Sequence, residues 1–187
     1  MQEEVDFIID YCKDKMLGAI KHLEKELTGI RAGKASPSMI ESVQVEYYGA
    51  LTPLNQVSNV STPDARTIAI QPWEKNLIPV IEKAILAANL GFNPDNNGEI
   101  IRINIPALTE ERRKQLVKQA SQEGETAKVS IRAARKEANE SLKKLLKDGL
   151  SEDVEKDAEA EVQTVTNEYG KKVDTLVEAK EKDIMTI

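Results

Sequence analysis

The sequence has few of the residues from which metal sites and catalytic centres are built. It contains one cysteine, Cys12, and one histidine, His22. A single cysteine cannot form an internal disulfide, which favours a reducing compartment, and a lone histidine has no second ligand with which to bind a metal. The sequence also contains no glycine-rich phosphate loop and no nucleophile with an evident base. We therefore expect no enzyme activity, no metal and no cofactor.

Aromatic residues and long apolar runs are scarce as well. Aromatic side chains make up only 4% of the 187 residues, so the core must be aliphatic. No apolar run approaches the roughly 18 residues of a membrane-spanning helix. The first residues, MQEEVDF, are acidic, whereas a secretory signal peptide begins basic and continues apolar. We expect a cytoplasmic protein with no membrane segment.

Three long helices are indicated by small and apolar residues that recur at steps of three and four. The first covers 1–30, the second lies within 106–147 with Thr109 as its N-cap, and the third follows the N-cap Ser151. The second, about 39 residues at about 1.5 Å each, is roughly 58 Å long, so we expect an elongated antiparallel three-helix bundle. The predicted buried positions are Val5, Ile9, Cys12, Met16, Ala19, Leu23, Leu27 and Ile30; then Leu116, Ala120, Gly124, Ala127, Ile131, Ala134, Ala138, Leu142 and Leu145; then Val154, Ala158, Val162, Val165, Tyr169, Val173, Leu176 and Ile184.

Residues 31–105 follow a different pattern, with short alternating segments that are typical of strands. Trp73 is expected to cap the core of this segment, and one of the adjacent Tyr47 and Tyr48 is expected to be exposed. The predicted strands are 43–48, 57–61, 66–71 and 100–105, and the predicted helix is 77–90.

The predicted fold class is therefore α+β. A bundle made of 1–30 and 106–187 carries an inserted small β/α/β domain made of 31–105. The chain crosses between the domains twice, and two short crossings restrict their relative motion to a hinge. The predicted hinge residues are Arg31, Ala32, Gly33 and Lys34 on the first crossing and Ile105, Pro106 and Ala107 on the second.

Charge is distributed unevenly along the chain. The net charge is −6, yet 106–147 carries +5, while 1–30, 31–105 and 148–187 carry −3, −1 and −7. A basic helix in an acidic chain has two explanations. It complements its acidic neighbours in the bundle, or it binds nucleic acid through one face.

The candidate nucleic-acid contacts lie on the basic helix. At about 100° per residue, Lys128, Arg132 and Arg135 form one stripe, about 95° from the buried seam, and Arg113 lies about 40° from Arg135. The planar fork of arginine donates two hydrogen bonds to a phosphate at once. Arginines spaced along a rigid helix therefore suit an RNA backbone.

Internal pairing of the same charges also has support. Glu125 stands three residues before Lys128, and Lys136 stands four residues before Glu140. These are the spacings of ion pairs on a helix surface. Charge alone leaves both explanations open.

Four runs of the sequence resemble the bacterial ribosome recycling factor family. They are 30–37 (IRAGKASP), 45–49 (VEYYG), 86–94 (LAANLGFNP) and above all 106–114 (PALTEERRK). The resemblance extends over essentially the whole chain in order. It implies a three-helix bundle with a small domain on a double hinge, in an L shape that resembles transfer RNA.

The resemblance also implies a function and partners. A factor of this family binds the large ribosomal subunit and its RNA after termination. Elongation factor G, hydrolysing GTP, then drives the subunits apart, so that messenger and transfer RNA are released. The factor itself catalyses no bond chemistry. For this chain we expect a monomer. The alternative from another class is a helical-bundle adaptor or chaperone-like module that binds proteins through its seams and its acidic third helix.

Individual residues can be carried over from the family. The resemblance implies that Arg113, Arg132 and Arg135 match its ribosomal-RNA-binding arginines. This chain departs from the family pattern at Lys34 and Lys136, where the family usually has arginine. Lysine keeps the charge but loses the bidentate fork.

Overall fold

The computed structural model describes residues 1–186, which fold into two compact units. One unit comprises Met1–Ala32 and the chain from Glu110 onward, and the other comprises Gly33–Thr109. The predicted small domain covers 31–105, whereas the small unit of the structure begins at Gly33 and ends at Thr109. No helix within the described residues is long and apolar enough to span a membrane.

The first unit is a bundle of three helices, as predicted. They are α1 (Gln2–Gly29), α3 (Glu110–Lys147) and α4 (Glu152–Met185). Helix α2 (Ile78–Ala87), which lies between α1 and α3 in the sequence, belongs to the other unit. Each bundle helix packs against the other two. Helices α3 and α4 run antiparallel, because Lys128 contacts Asp174 whereas Arg135, further along α3, contacts Gln163, which comes earlier in α4. The bundle therefore has a single aliphatic interior along its length.

The predicted seams correspond closely to the buried residues in α1 and α3, whereas in α4 three predicted positions, Val154, Tyr169 and Leu176, are only half-buried. In α3 every predicted position is buried except Leu145, which is half-buried. In α1 the prediction of Ala19 is wrong, because Ile20 is buried there and Ala19 is only half-buried. Since α1 packs against two helices rather than one, its buried face is wider than a single seam. On this face the isoleucine side chain of Ile20 buries more apolar area than the methyl group of Ala19 would.

The reversal between α3 and α4 is built from local signals. Gly149 has φ +106°, a left-handed conformation that glycine adopts without strain, and the Leu150 N–H donates to the carbonyl of Leu145 over 2.9 Å. Ser151 then caps α4, since its Oγ accepts a hydrogen bond from the Val154 N–H over 3.3 Å. The predicted N-cap is confirmed.

The second unit consists of two antiparallel sheets and α2. A β1–β2 hairpin forms one sheet, and the other has four strands in the order β3-β4-β6-β5. The strands are β1 (Gln44–Tyr47), β2 (Ala50–Pro53), β3 (Ser58–Asp64), β4 (Thr67–Pro72), β5 (Pro94–Asn96) and β6 (Ile101–Asn104).

Two of these strands, β2 and β5, were not predicted. Each is short and contains a proline, and both pair along one edge only. The hairpin turn at Tyr48 and Gly49, with φ 48° and 80°, folds β2 back on β1. Pairing with a neighbour, rather than alternation of its own side chains, makes each of these segments a strand.

The core of the second unit is aliphatic, as the composition requires. Ile68, Ile70, Ile101 and Ile103 are fully buried between the sheet and α2. The prediction that Trp73 caps this core is wrong, because its side chain is 68% exposed. Isoleucine side chains already fill the interior, and the residue after β4 points outward. Tyr48 is exposed, which confirms the prediction for the tyrosine pair.

Candidate ribosomal RNA interface

The four predicted phosphate-binding cations all lie on α3. Along the helix axis, Lys128 lies about 6 Å before Arg132 and Arg135 lies about 4.5 Å beyond it. Arg113, by contrast, lies roughly 28 Å before Arg132. Arg132 is exposed, and the other three are half-buried. The structure therefore brings three cations together and leaves the fourth near the start of the helix.

Lys128 is held by the neighbouring helix. Its Nζ lies 2.7 Å from Oδ1 of Asp174 on α4, and this hydrogen bond is the main cause that raises the pKa of Lys128. Glu125, the predicted partner on the same helix, acts only through its nearby charge. The charge of Lys128 is thus partly neutralised, by a residue distant in sequence.

Arg135 is also oriented by α4, but by an uncharged partner. Its Nη1 donates to Oε1 of Gln163 over 3.2 Å, and the Gln163 amide in turn donates to Oδ1 of Asn167 over 2.9 Å. A guanidinium has five N–H donors and only one is used in this contact. Arg135 therefore keeps its full charge while α4 restricts its side chain.

Arg132 and Arg113 differ from these two cations. Among the described residues, neither makes an ion pair or a hydrogen bond through its side chain. Lys136, one turn beyond Arg132, is only weakly paired, with its Nζ 4.0 Å from Oε1 of Glu140. Arg132 is the cation of the stripe most available to an external phosphate.

The basic face continues beyond the predicted stripe. Lys118 and Lys143 are exposed, and the helical period places both within about 40° of Arg132. They extend the face to roughly 37 Å along α3. The same periodicity argument applied to every cation of the helix would have found them. We name the exposed surface of Lys118, Arg132, Lys136 and Lys143, with Lys128 and Arg135 at its α4 border, the basic face.

The predicted hinge residues lie at the ends of the two units. Arg31 and Ala32 end the first stretch of the bundle unit, and Gly33 and Lys34 begin the small unit. Ile105 belongs to the small core, with 6% exposure, and its N–H donates to the carbonyl of Arg66 over 2.7 Å. Pro106 and Ala107 are exposed. The second crossing is therefore anchored up to Ile105 and leaves the core at Pro106.

Within the small unit, the two crossings meet each other at Gly33 and Leu108. Gly33 has φ +73°, and a Cβ atom added to it would lie 2.5 Å from Cγ of Leu108. The Ala35 N–H donates to the carbonyl of Ala65 over 2.7 Å, beside the Arg66 carbonyl that accepts from Ile105. Both crossings are thus fastened to the β3–β4 turn.

Comparison with known proteins gives consistent results. The model of the family described as "Ribosome recycling factor" matches residues 23–185. The chain is 59% identical over 187 residues to the ribosome-recycling factor of Flavobacterium johnsoniae, with 100% of both chains covered. It is 56% identical over 185 residues to that of Cytophaga hutchinsonii, with 99% of this chain and 100% of the relative covered.

Two solved structures are similar over nearly the whole chain. One is a solution structure of the ribosome recycling factor, with a TM-score of 0.74, 38% identity and 98% of each chain covered. The other, with a TM-score of 0.60 and 45% identity, covers 97% of this chain and 99% of that one. It contains models for the T. thermophilus ribosome recycling factor and the E. coli elongation factor G bound to the E. coli post-termination complex.

Proposed function

The chain belongs to the ribosome recycling factor family, and on this premise we propose that it acts on the post-termination ribosome together with elongation factor G. The observation that carries the proposal is the basic face of α3, a cationic surface on a chain of net charge −6. The chain is not an enzyme, and the GTP hydrolysis that drives recycling belongs to elongation factor G. Family membership also decides against the alternative of a helical-bundle adaptor.

The basic face is the surface that we propose for ribosomal RNA of the large subunit. Arg132 offers a free guanidinium fork, which forms charge-assisted and bidentate hydrogen bonds with phosphate oxygens. Arg135, whose side chain is held by the uncharged Gln163, loses less conformational entropy when it binds. The contacts are spread along one rigid helix and so fix position on the RNA without reading its sequence.

The acidic remainder of the chain contributes to orientation. Because 1–30 and 148–187 carry −3 and −7, the other helices of the bundle are repelled by RNA. Only the basic face is attracted. We infer that this polarity selects one docking orientation on the subunit. We further propose that the factor works in the cytoplasm as a monomer.

The small unit is the part that we propose to move. Its two crossings are fastened to the same β3–β4 turn, so it can rotate as a body about the two points where the chain leaves it, at 32–33 and 109–110, rather than deform internally. Elongation factor G is the proposed source of the motion, and the bundle, anchored on RNA, transmits it to the subunits.

The anchoring step is tested by sedimentation with purified large subunits over a salt series. Arg132→Glu should abolish co-sedimentation at physiological salt, and the binding of the wild type should weaken steeply as salt rises. The matched control is Lys21→Glu, which makes the same charge change at an exposed position of α1. Equal binding of Arg132→Glu and wild type would show that the basic face is not the anchor.

The hinge step needs a variant that changes a crossing without disturbing the small unit. Gly33→Pro is unsuitable, because proline requires φ near −65° and Gly33 has φ +73°. Ala32→Gly, at the last position of the bundle unit before the small unit begins, loosens the first crossing instead. We expect unchanged binding to the large subunit and slower subunit splitting with elongation factor G and GTP. Splitting at the wild-type rate would contradict the hinge.

A further inference from the structure

Helix α1 exposes two aromatic side chains although the chain has few. Phe7 is 68% exposed and Tyr11 is 46% exposed. Their rings lie parallel, at 9° with centroids 6.0 Å apart, so they stack on each other along the outside of the helix. Side chains this exposed contribute little to the core, and the proposed RNA contacts on α3 do not use them.

One of the two rings, that of Tyr11, already contacts a cation of the chain. Nζ of Lys15 lies 4.9 Å from the centroid of the Tyr11 ring and also forms a salt bridge with Glu137 of α3. One end of the stack is therefore occupied by a cation of the chain itself. Among the described residues no cation is placed over Phe7.

Unpaired carboxylates flank the stack on the side of Phe7. Glu3 precedes Phe7 by four residues, and Asp10 and Asp14 follow it by three and seven, so all three share its side of the helix. Each is exposed, and within the described part of the chain none makes an ion pair or a hydrogen bond through its side chain. We name this surface, made of Glu3, Phe7, Asp10, Tyr11 and Asp14, the aromatic–acidic face.

The charge of this face determines which partner fits it. Carboxylates repel the phosphates of RNA and of anionic lipid. A ring face surrounded by carboxylates attracts a cation, and arginine suits it best because its guanidinium stacks flat on a ring while its N–H groups reach carboxylate oxygens. Beside the rings, a cavity of about 160 Å³ between α1 and α3, lined in part by Ala134, Ala138 and Ser141, offers room for an apolar side chain.

We propose that the aromatic–acidic face is a docking surface for a cationic protein segment, with an arginine of that segment stacked on Phe7 and paired with Glu3 or Asp10. The surface lies on α1, whereas the basic face lies along the α4 side of α3. The bundle therefore presents one surface to RNA and another to a basic protein. This proposal does not depend on the function proposed above.

The probe for this proposal is a helical peptide of about 18 residues, five turns, built from alanine, leucine and arginine. The matched peptide has glutamine in place of every arginine. Binding to the full chain is measured by calorimetry at low and physiological salt. We expect the arginine peptide to bind and the glutamine peptide not to bind. Absence of binding by the arginine peptide would overturn the proposal.

Variants of the protein separate the specific site from general attraction to an acidic chain. Phe7→Leu keeps the apolar bulk but loses the ring, and it should weaken binding about threefold to tenfold. Asp10→Asn combined with Asp14→Asn should weaken it about as much. The charge-matched control is Asp157→Asn combined with Glu168→Gln, at exposed positions of α4, which should leave the affinity within about twofold.

Two outcomes of this series contradict the proposal. If Phe7→Leu binds as tightly as the wild type, the ring is not a contact. If the control on α4 loses as much affinity as the variant on α1, the peptide recognises net charge and not the aromatic–acidic face. Since all the substituted positions are exposed, circular dichroism should show unchanged helix content in every variant.

Discussion

Lys128 on α3 and Asp174 on α4 form an ion pair, with 2.7 Å between Nζ and Oδ1, at the border of the basic face. The pair links two helices of the bundle. It also makes Lys128 less available for contact with RNA. Binding strength and helix packing therefore compete for the same lysine.

Removing the carboxylate should release Lys128. For Asp174→Asn we expect tighter binding to the large ribosomal subunit and a steeper salt dependence, because one more cation contacts phosphate. The stability lost should be about 0.5 kcal/mol, since the pair is largely exposed. Sedimentation over a salt series and urea unfolding measure the two effects. Asp157→Asn makes the same charge change elsewhere on α4, and an equal gain of affinity there would refute the specific role of Asp174.

The contact between Gly33 and Leu108 makes a prediction about stability. Gly33→Ala introduces a left-handed alanine and places its Cβ 2.5 Å from Cγ of Leu108, so we expect the small unit to lose about 1–3 kcal/mol. Urea unfolding followed by Trp73, the only tryptophan and part of this unit, reports the loss. Gly98→Ala, with φ +89° and no atom within 4 Å, controls for backbone strain alone. Equal losses of stability in the two variants would show that the Leu108 side chain moves aside without a measurable cost.

The close approach of α3 and α4 at Gly124 gives a second packing prediction. A Cβ added to Gly124 would lie 2.6 Å from Cγ2 of Val177. Alanine gains about 1 kcal/mol in helix propensity, but overpacking a fitted contact costs about 1–3 kcal/mol, so we expect net destabilisation of Gly124→Ala. Adding Val177→Ala should recover much of the loss in thermal unfolding. Gly170→Ala, in α4 with open space around it, should instead stabilise the bundle.

Glu155 should make stability depend on pH. Its side chain is 7% exposed, and burial, followed by the neighbouring Glu159, raises its pKa above the usual glutamate value. Between the usual and the raised pKa, the folded state holds a proton that the unfolded state has released, so stability falls as pH rises through this window. Lys143 on α3 and Lys156 oppose the shift without reversing it.

The corresponding variant is Glu155→Gln, which cannot lose the proton. Relative to the wild type, its free energy of unfolding should increase as pH rises above the usual glutamate pKa and level off above the raised one. Urea unfolding at intervals from about pH 4 to about pH 8 tests this. Glu168→Gln, at an exposed position of the same helix, shows the effect of removing a carboxylate without burial. A difference from the wild type that does not change with pH would contradict the assignment.

Local periodicity and capping chemistry sufficed to predict the bundle. The steps of three and four place Leu116 to Leu142 on one face of α3 whatever else the chain does, because the helical repeat is a property of the backbone. Ser151 caps α4 for a similarly local reason, since its hydroxyl reaches an N–H three residues ahead. The stripe of Arg132 and Arg135 follows from the same geometry.

Other features depend on which distant residues meet, and for these the sequence determined the candidates but not the outcome. Whether Lys128 pairs with Glu125 or with Asp174 depends on how α4 lies along α3, and whether Ile20 or Ala19 is buried depends on the two helices that α1 contacts. Strands β2 and β5 exist through pairing with their neighbours, and Trp73 is exposed because isoleucines already fill the core. Helical periodicity comes from backbone geometry, but the choice between equally placed partners comes from packing, which only the tertiary structure decides.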